Sequence, residues 1–220
     1  NLTPDNIIEN KGSAIELELD KKDIKNNSLN NNEIIIDFGL IPDGYGWVFP
    51  KDNRISIGMG SLDSMGKINL RKKVDEYLDY LNIDIDKSNL SYKGHPLPFY
   101  GEISRGIDVS GNRYLLIGDA AHMLDPLVGE GIYYACLSAE IAAETILNQL
   151  RKNNYDLTLY NKKIKQIINP KLKSAEKLGQ IFYNNTDYFK KMISIKKKIL
   201  TTFLDVIQDK SSFSNLFSLI

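Results

Sequence analysis

The residues with the most chemical content lie between Arg113 and Leu147. A short apolar run, Tyr114 to Ile117, ends in Gly118-Asp119, and Ala120-Ala121-His122 follow. Next comes Asp125-Pro126-Leu127-Val128-Gly129-Glu130-Gly131, and from Ile132 the chain turns helical. An acidic residue at the carboxyl end of a strand stands where an α/β sheet presents polar groups to ligands. A helix start adds unpaired backbone N–H groups and the positive end of a dipole. Gly129 and Gly131 let the backbone approach a bound molecule closely. Singly these features are bland, since Asp often caps a turn and glycines often shape loops. In this order they read as a grip on a nucleotide.

A second stretch reads Tyr45-Gly46-Trp47-Val48-Phe49-Pro50, with Gly58-Met59-Gly60 downstream. Period-two spacing puts Tyr45, Trp47 and Phe49 on one face of a strand. On spacing alone, such a row is more often core than ligand wall. A lone loop histidine such as His122 is ordinarily structural. Cys136 is expected as a small buried residue on a packed helix face.

The segment Gly118-Asp119-Ala120-Ala121, with Pro126 and Gly129-Glu130-Gly131, resembles the second FAD-contacting motif of the flavoprotein hydroxylase and reductase superfamily. Asp125 to Ile132, Asp-Pro-Leu-x-Gly-Glu-Gly-Ile, is most similar to the geranylgeranyl reductase branch. Tyr45 to Pro50 followed by Gly58 and Gly60 resembles that branch's substrate-domain signature, so the resemblance spans roughly residues 40 to 150. It implies FAD, contacted by Gly118, Asp119, Ala120, Pro126, Gly129, Gly131 and Ile132. The aspartate would hold the ribityl chain, and the following helix would aim at the pyrimidine side of the ring. There it would also stabilise negative charge on the reduced flavin. Glu130 is awkward in that role unless it points outward.

The resemblance further implies that Tyr45, Trp47, Phe49, Pro50, Gly58 and Gly60 shape a tunnel for an isoprenoid chain. Binding there is apolar burial, worth about 0.8 kcal/mol per methylene. His122 would lie near the cofactor without a catalytic role. Gly94-His95-Pro96-Leu97-Pro98 loosely resembles a segment passing near the ring, which makes His95 a candidate proton donor. No residue is assigned as the general acid. The superfamily opens with a strand–GxGxxG–helix unit for the pyrophosphate, and this sequence contains no such unit. The chain is therefore expected to be the carboxyl-terminal part of a longer flavoenzyme, inactive alone.

These motifs need elements to position them. Ile15, Leu17 and Leu19 alternate with Glu16 and Glu18, the period of a half-buried strand. Glu33 to Leu40 is β-branched and aromatic, a second strand. Trp47–Pro50 and Arg54–Met59, joined by Lys51-Asp52-Asn53, read as a hairpin. Leu70, Val74, Tyr77, Leu78 and Leu81 give a helix with one wet face. Lys21 to Asn32 is a polar loop, and Lys93 to Tyr100, with Pro96 and Pro98, a constrained turn or irregular strand. Ala135, Ser138, Ala139, Ala142 and Ala143 suit a helix packed closely on its neighbour. Pro170 marks a helix start or kink in the lysine-rich tail.

The fold class is α/β, α+β by content. Residues 1–108 are expected as an antiparallel-sheet substrate domain with one helix, 109–150 as the last strand and helix of an FAD-binding domain, and 151–220 as a helical tail. Lys plus Arg balances Asp plus Glu at 28 each, so no global field recruits nucleic acid. One cysteine and two histidines leave no disulfide and no metal motif.

The expected function is flavin-dependent reduction of isoprenoid carbon–carbon double bonds on lipid precursors, with reduced ferredoxin or NAD(P)H as electron donor. An aromatic-ring monooxygenase, slightly favoured by His122, and a flavin-free binding domain are the alternatives. Without a signal or spanning segment the chain reads as cytoplasmic. Its tail, which mixes lysines with apolar residues, allows peripheral membrane contact.

Overall fold

The strand alternation at Ile15–Leu19 is realised in β1 (Lys11–Asp20), the first element of a mixed α and β chain. The computed structural model describes residues 11–25, 33–62, 68–154, 156–207, 210–212, 215–216 and 218–219. By internal contact the chain divides into two units, one of Lys11–Leu97 and one containing Pro98–Ile220.

The first unit holds β1, β2 (Ile35–Phe38), β3 (Gly44–Pro50), β4 (Arg54–Ser61), α1 (Leu70–Tyr80) and β5 (Tyr92–Pro98). The five strands form one sheet in the order β2-β3-β4-β1-β5. β3 and β4 form the expected hairpin, closed where the Lys51 amide donates to the Arg54 carbonyl at 2.8 Å. Asn69 caps α1 by accepting from the Lys72 amide at 3.1 Å, which fixes where the helix begins.

One sheet face and α1 share the core: Leu17, Leu19, Val48, Ile55, Ile57 and Met59 meet Val74, Tyr77 and Leu78. The Tyr77 hydroxyl, held well above its ordinary pKa by burial, donates to Asp37 at 2.6 Å and so pins helix to sheet. The strand expected over Glu33–Leu40 is limited to Ile35–Phe38, and residues 26–32 of the polar loop lie outside the described ones. The proline-bearing segment expected as a turn or irregular strand is β5, at the sheet edge, where proline's missing N–H is tolerated.

The second unit is mostly helical: α2 (Glu102–Gly106), α3 (Ile132–Arg151), α4 (Thr158–Ile167), α5 (Asn169–Asn184), α6 (Thr186–Ile195) and α7 (Lys197–Ile207). Pro170 sits in the first turn of α5, where its absent N–H costs nothing. Met123, Tyr134, Ile141, Tyr160, Ile164 and Leu172 are among the side chains that close its core.

Two local expectations change here. Tyr114–Ile117, expected as a strand, pairs only through an isolated Ser110–Leu115 bridge. Tyr114 and Ile117 are exposed, so no described strand lies alongside to build a ladder. Cys136, expected buried, is exposed, because Tyr134, Ser138, Ile141, Ala142 and Thr145 set the inward face of α3. Among the described residues, no helix is long and apolar enough to cross a membrane.

Candidate functional site

The first group of site residues gathers where the chain leaves the Tyr114–Ile117 segment. Gly118 to Ala121 form a single 3-10 turn with Gly118 at φ 52°. A Cβ on Gly118 would stand 2.9 Å from the Ala135 Cβ, so glycine is required both by the backbone and by α3. The Gly118 amide donates to Ser138 Oγ at 3.0 Å, and that hydroxyl donates to the Ala135 carbonyl at 3.0 Å. The turn is thus fastened to the first turns of α3. This is why small residues are needed at 135 and 138, while Ala143 is exposed.

Held this way, Asp119 is exposed beside the start of α3. Its Oδ1 lies 3.4 Å from the point a Cβ on Gly131 would occupy, and the same Cβ would meet Leu124 Cδ1 at 2.7 Å. Any side chain at 131 would therefore force Leu124 to shift and crowd the carboxylate. No described residue donates a hydrogen bond to Asp119, so both oxygens are open to the hydroxyls of a ligand. Ala120 and Gly129 are exposed, and Ile132 is 79% exposed. Pro126 is buried and acts as loop scaffold.

The loop between is built on Asp125. Its Oδ1 accepts from the amides of Leu127 at 2.7 Å and Val128 at 3.2 Å. Its backbone closes the turn, with Gly129 N–H donating to the Asp125 carbonyl at 3.0 Å and Asp125 N–H to the Glu130 carbonyl at 2.8 Å. Gly129 takes φ 70°, which a glycine adopts without strain. Burial, aided by the nearby Glu130, raises the Asp125 carboxyl to about 6 against the opposing pull of the two amides. Glu130 faces inward to the helix rather than outward: its carboxylate accepts from the Tyr133 amide at 2.7 Å. One of the free N–H groups expected for a ligand is thus already taken. His122, in left-handed backbone at φ 52°, is buried beneath the turn, and His95 is exposed on β5.

Two residues that the motifs did not reveal hold this loop from behind. A Cβ on Gly179 of α5 would approach the Pro126 carbonyl at 3.2 Å, and Tyr183, one turn on, donates to the Leu127 carbonyl at 2.6 Å. Tyr160 of α4 similarly donates to the Leu116 carbonyl at 2.7 Å, just ahead of Gly118. A glycine inside a helix was the only available signal for 179. Between loop and helices, Asp125, Leu127, Tyr133, Lys171 and Phe203 are among the residues lining a cavity of about 300 Å³.

The second group of site residues lies in the other unit. Gly44, Gly46 and Val48 face α1, with the Tyr77 ring 3.0 Å from where a Gly46 Cβ would be. Tyr45, Trp47 and Phe49 therefore occupy the opposite sheet face and stand outside the α1 core. Phe38, Tyr45, Trp47 and Phe49 form one row, with successive ring centroids 5.5, 6.2 and 6.1 Å apart. Gly58 pairs across from Trp47, and Gly60 across from Tyr45. The indole lies flat on Gly58, where a Cβ would meet Trp47 Cε2 at 2.7 Å and the Ile15 carbonyl at 2.5 Å. A Cβ on Gly60 would meet nothing closer than 3.5 Å. The indole N–H donates to Ser56 Oγ at 3.3 Å, and Ser56 donates to Glu16 at 3.3 Å. Among the described residues no cluster of His, Cys, Asp and Glu is arranged to hold a metal.

No family model matches the chain. It is 32% identical over 182 residues, 82% of its length and 45% of the relative's, to an uncharacterized protein of Methanosarcina barkeri. It is 32% identical over 146 residues, 64% of its length and 30% of the relative's, to the digeranylgeranylglycerophospholipid reductase of Sulfolobus acidocaldarius. The crystal structure of a geranylgeranyl bacteriochlorophyll reductase-like protein from Thermoplasma acidophilum shares the fold, with TM-score 0.68 and 21% identity over 96% of this chain and 55% of that one. The chain thus spans less than half the length of these curated relatives. The chain is thus similar, over part of their length, to proteins named as geranylgeranyl-type reductases.

Proposed function

We propose that this chain carries part of a flavin-dependent reductase that saturates carbon–carbon double bonds in isoprenoid chains of lipid precursors. The observation that carries the reading is the Gly118–Asp119–Gly131 arrangement. An acidic side chain with both oxygens open stands against a helix start kept bare by a glycine. That is a cradle for the hydroxylated chain of FAD, so the residues present fit the cofactor. Asp119 would hold the ribityl hydroxyls, while Ala120, Gly129 and Ile132 would contact the adjoining ring system. FAD bound there supplies the two-electron reduction chemistry of the family.

The protein's own part is position and exclusion of water. The 3-10 turn and the Asp125 loop are both pinned to helices, so the cradle is organised before a ligand arrives. The Phe38–Phe49 aromatic row suits a long apolar chain, because its ring faces are flat and apolar and the indole N–H is already bonded to Ser56. Ser56, held between the indole and Glu16, is the polar interruption beside that row.

The test is FAD titration of the 220-residue chain, followed by flavin fluorescence, beside Asp119→Ala and Gly131→Val. Asp119→Ala should weaken binding by at least tenfold, the effect of losing a hydrogen bond to a charged group worth about 1.5–3 kcal/mol, and Gly131→Val should weaken it by filling the bare helix start. Equal binding by wild type and both variants defeats the reading. Product analysis with a geranylgeranyl lipid and reduced flavin, run on the longer flavoenzyme that would contain this segment, should then give a product gaining hydrogen alone. Incorporated oxygen would point to monooxygenase chemistry instead.

A further inference from the structure

The carboxyl-terminal helices carry a surface that the proposed cradle does not use. α6 buries Phe189, and α7 buries Ile199 and Val206. On the solvent side of α6, Tyr188, Lys191 and Ile195 follow at i, i+3 and i+7. On the solvent side of α7, Lys197, Leu200 and Leu204 repeat the same spacing. That spacing keeps each trio on one flank of its helix. Ile195 is 69% exposed, and Tyr188, Leu200 and Leu204 are exposed as well.

Charge separates this surface from another exposed apolar face among the described residues, that of α3. Thr186–Ile207 holds Lys190, Lys191, Lys196, Lys197 and Lys198 against only Asp187 and Asp205, in a chain whose net charge is zero. All five lysines are exposed, and none of them forms an ion pair with a described residue. The outer face of α3 exposes Ile132, Leu147 and Leu150 as well, but its exposed charges include Glu140 and Glu144. An apolar stripe flanked by uncompensated lysines is complementary to an anionic lipid surface. The apolar side chains reach the acyl boundary while the lysine stems let their ammonium groups stay at the headgroups.

We infer that α6 and α7 form a peripheral docking surface for anionic membranes, with Tyr188, Ile195, Leu200 and Leu204 inserted and Lys190, Lys191 and Lys196–Lys198 on the headgroups. This stands apart from the redox reading, since it needs neither flavin nor turnover.

The test is sedimentation of the 220-residue chain with vesicles of phosphatidylcholine alone and with one-third phosphatidylglycerol by design (a ratio of about 1:2, typical of the anionic fractions to which such patches respond). The chain should sediment with the anionic vesicles, not the neutral ones, and be released as salt shortens the screening length. Lys196→Gln/Lys197→Gln/Lys198→Gln should weaken binding on the order of 100-fold, about fivefold for each lysine. Leu200→Ser/Leu204→Ser changes exposed positions only, so its thermal unfolding should match wild type while vesicle binding drops. The inference is overturned by no binding to either vesicle, by equal binding to both, or by a triple lysine variant that binds as wild type does.

Discussion

Asp125→Asn isolates the energetic role of the carboxyl on which the cradle loop is built. In the folded protein this group titrates at about 6 rather than the ordinary 3.8, because burial outweighs the two amides that stabilise its charge. The folded state therefore binds the proton more tightly than the unfolded chain. Its contribution to stability is fully present below pH 3.8 and is lost as pH rises through about 6. At 1.36 kcal/mol per pH unit, the ionised carboxylate costs about 3 kcal/mol at pH 8.

Asparagine keeps the acceptor oxygen for the Leu127 and Val128 amides and carries no charge. It should stabilise the protein by up to about 3 kcal/mol at pH 8, and this advantage should disappear toward pH 4. Asp125→Ala removes the acceptor from two loop amides, each costing about 1–3 kcal/mol when left unsatisfied, and should destabilise at both pH values. The assay is urea unfolding followed by circular dichroism between pH 4 and 8, read as the difference between variant and wild type. The difference cancels exposed carboxylates such as Glu18 and Glu76, whose pKa values are lowered by lysine partners and which act in the opposite sense. An asparagine variant as unstable as the alanine one at pH 8, or a difference independent of pH, would refute the account of the loop.

Other substitutions probe the remaining contacts. Gly58→Ala should cost about 1–3 kcal/mol by displacing the indole, and because Trp47 is the only tryptophan its emission reports the movement directly; Gly60→Ala should leave both stability and emission nearly unchanged. Gly118→Ala combines a left-handed backbone with a collision at Ala135, and should lower stability by about 2–4 kcal/mol in thermal or urea unfolding. Tyr183→Phe removes the hydrogen bond to the Leu127 carbonyl, with an expected loss of about 1 kcal/mol. If the helix orders the loop for FAD, the flavin dissociation constant of that variant should rise several-fold as well.

What could be read in the residues and what could not divide along physical lines. The period-two run at Ile15–Leu19, the hairpin around Lys51–Asn53 and the helix at Leu70–Leu81 are local patterns, and each formed as its spacing required. Gly118, Asp119 and Gly131 could be singled out in the sequence by type and order, and the 3-10 turn and the start of α3 bring Asp119 and Gly131 together. Tyr114–Ile117 makes only an isolated bridge because a strand needs a neighbour, and no described strand lies alongside it.

Other features depend on residues far apart in the chain. Whether Tyr45, Trp47 and Phe49 were core or surface depended on which sheet face α1 covers, and α1 chose the glycines at 44 and 46. The sequence left Glu130 undecided; only the start of α3, with the Tyr133 amide in reach, turned it inward. Gly179 and Tyr183 lie more than 50 residues from the carbonyls they support, so no motif could disclose them. By itself the sequence determined the chemistry on offer at each position, since side-chain type and local period are properties of neighbouring residues. Tertiary structure alone decided which groups stay open to a ligand and which are consumed as scaffold, because burial and hydrogen-bond partnership belong to the assembled fold.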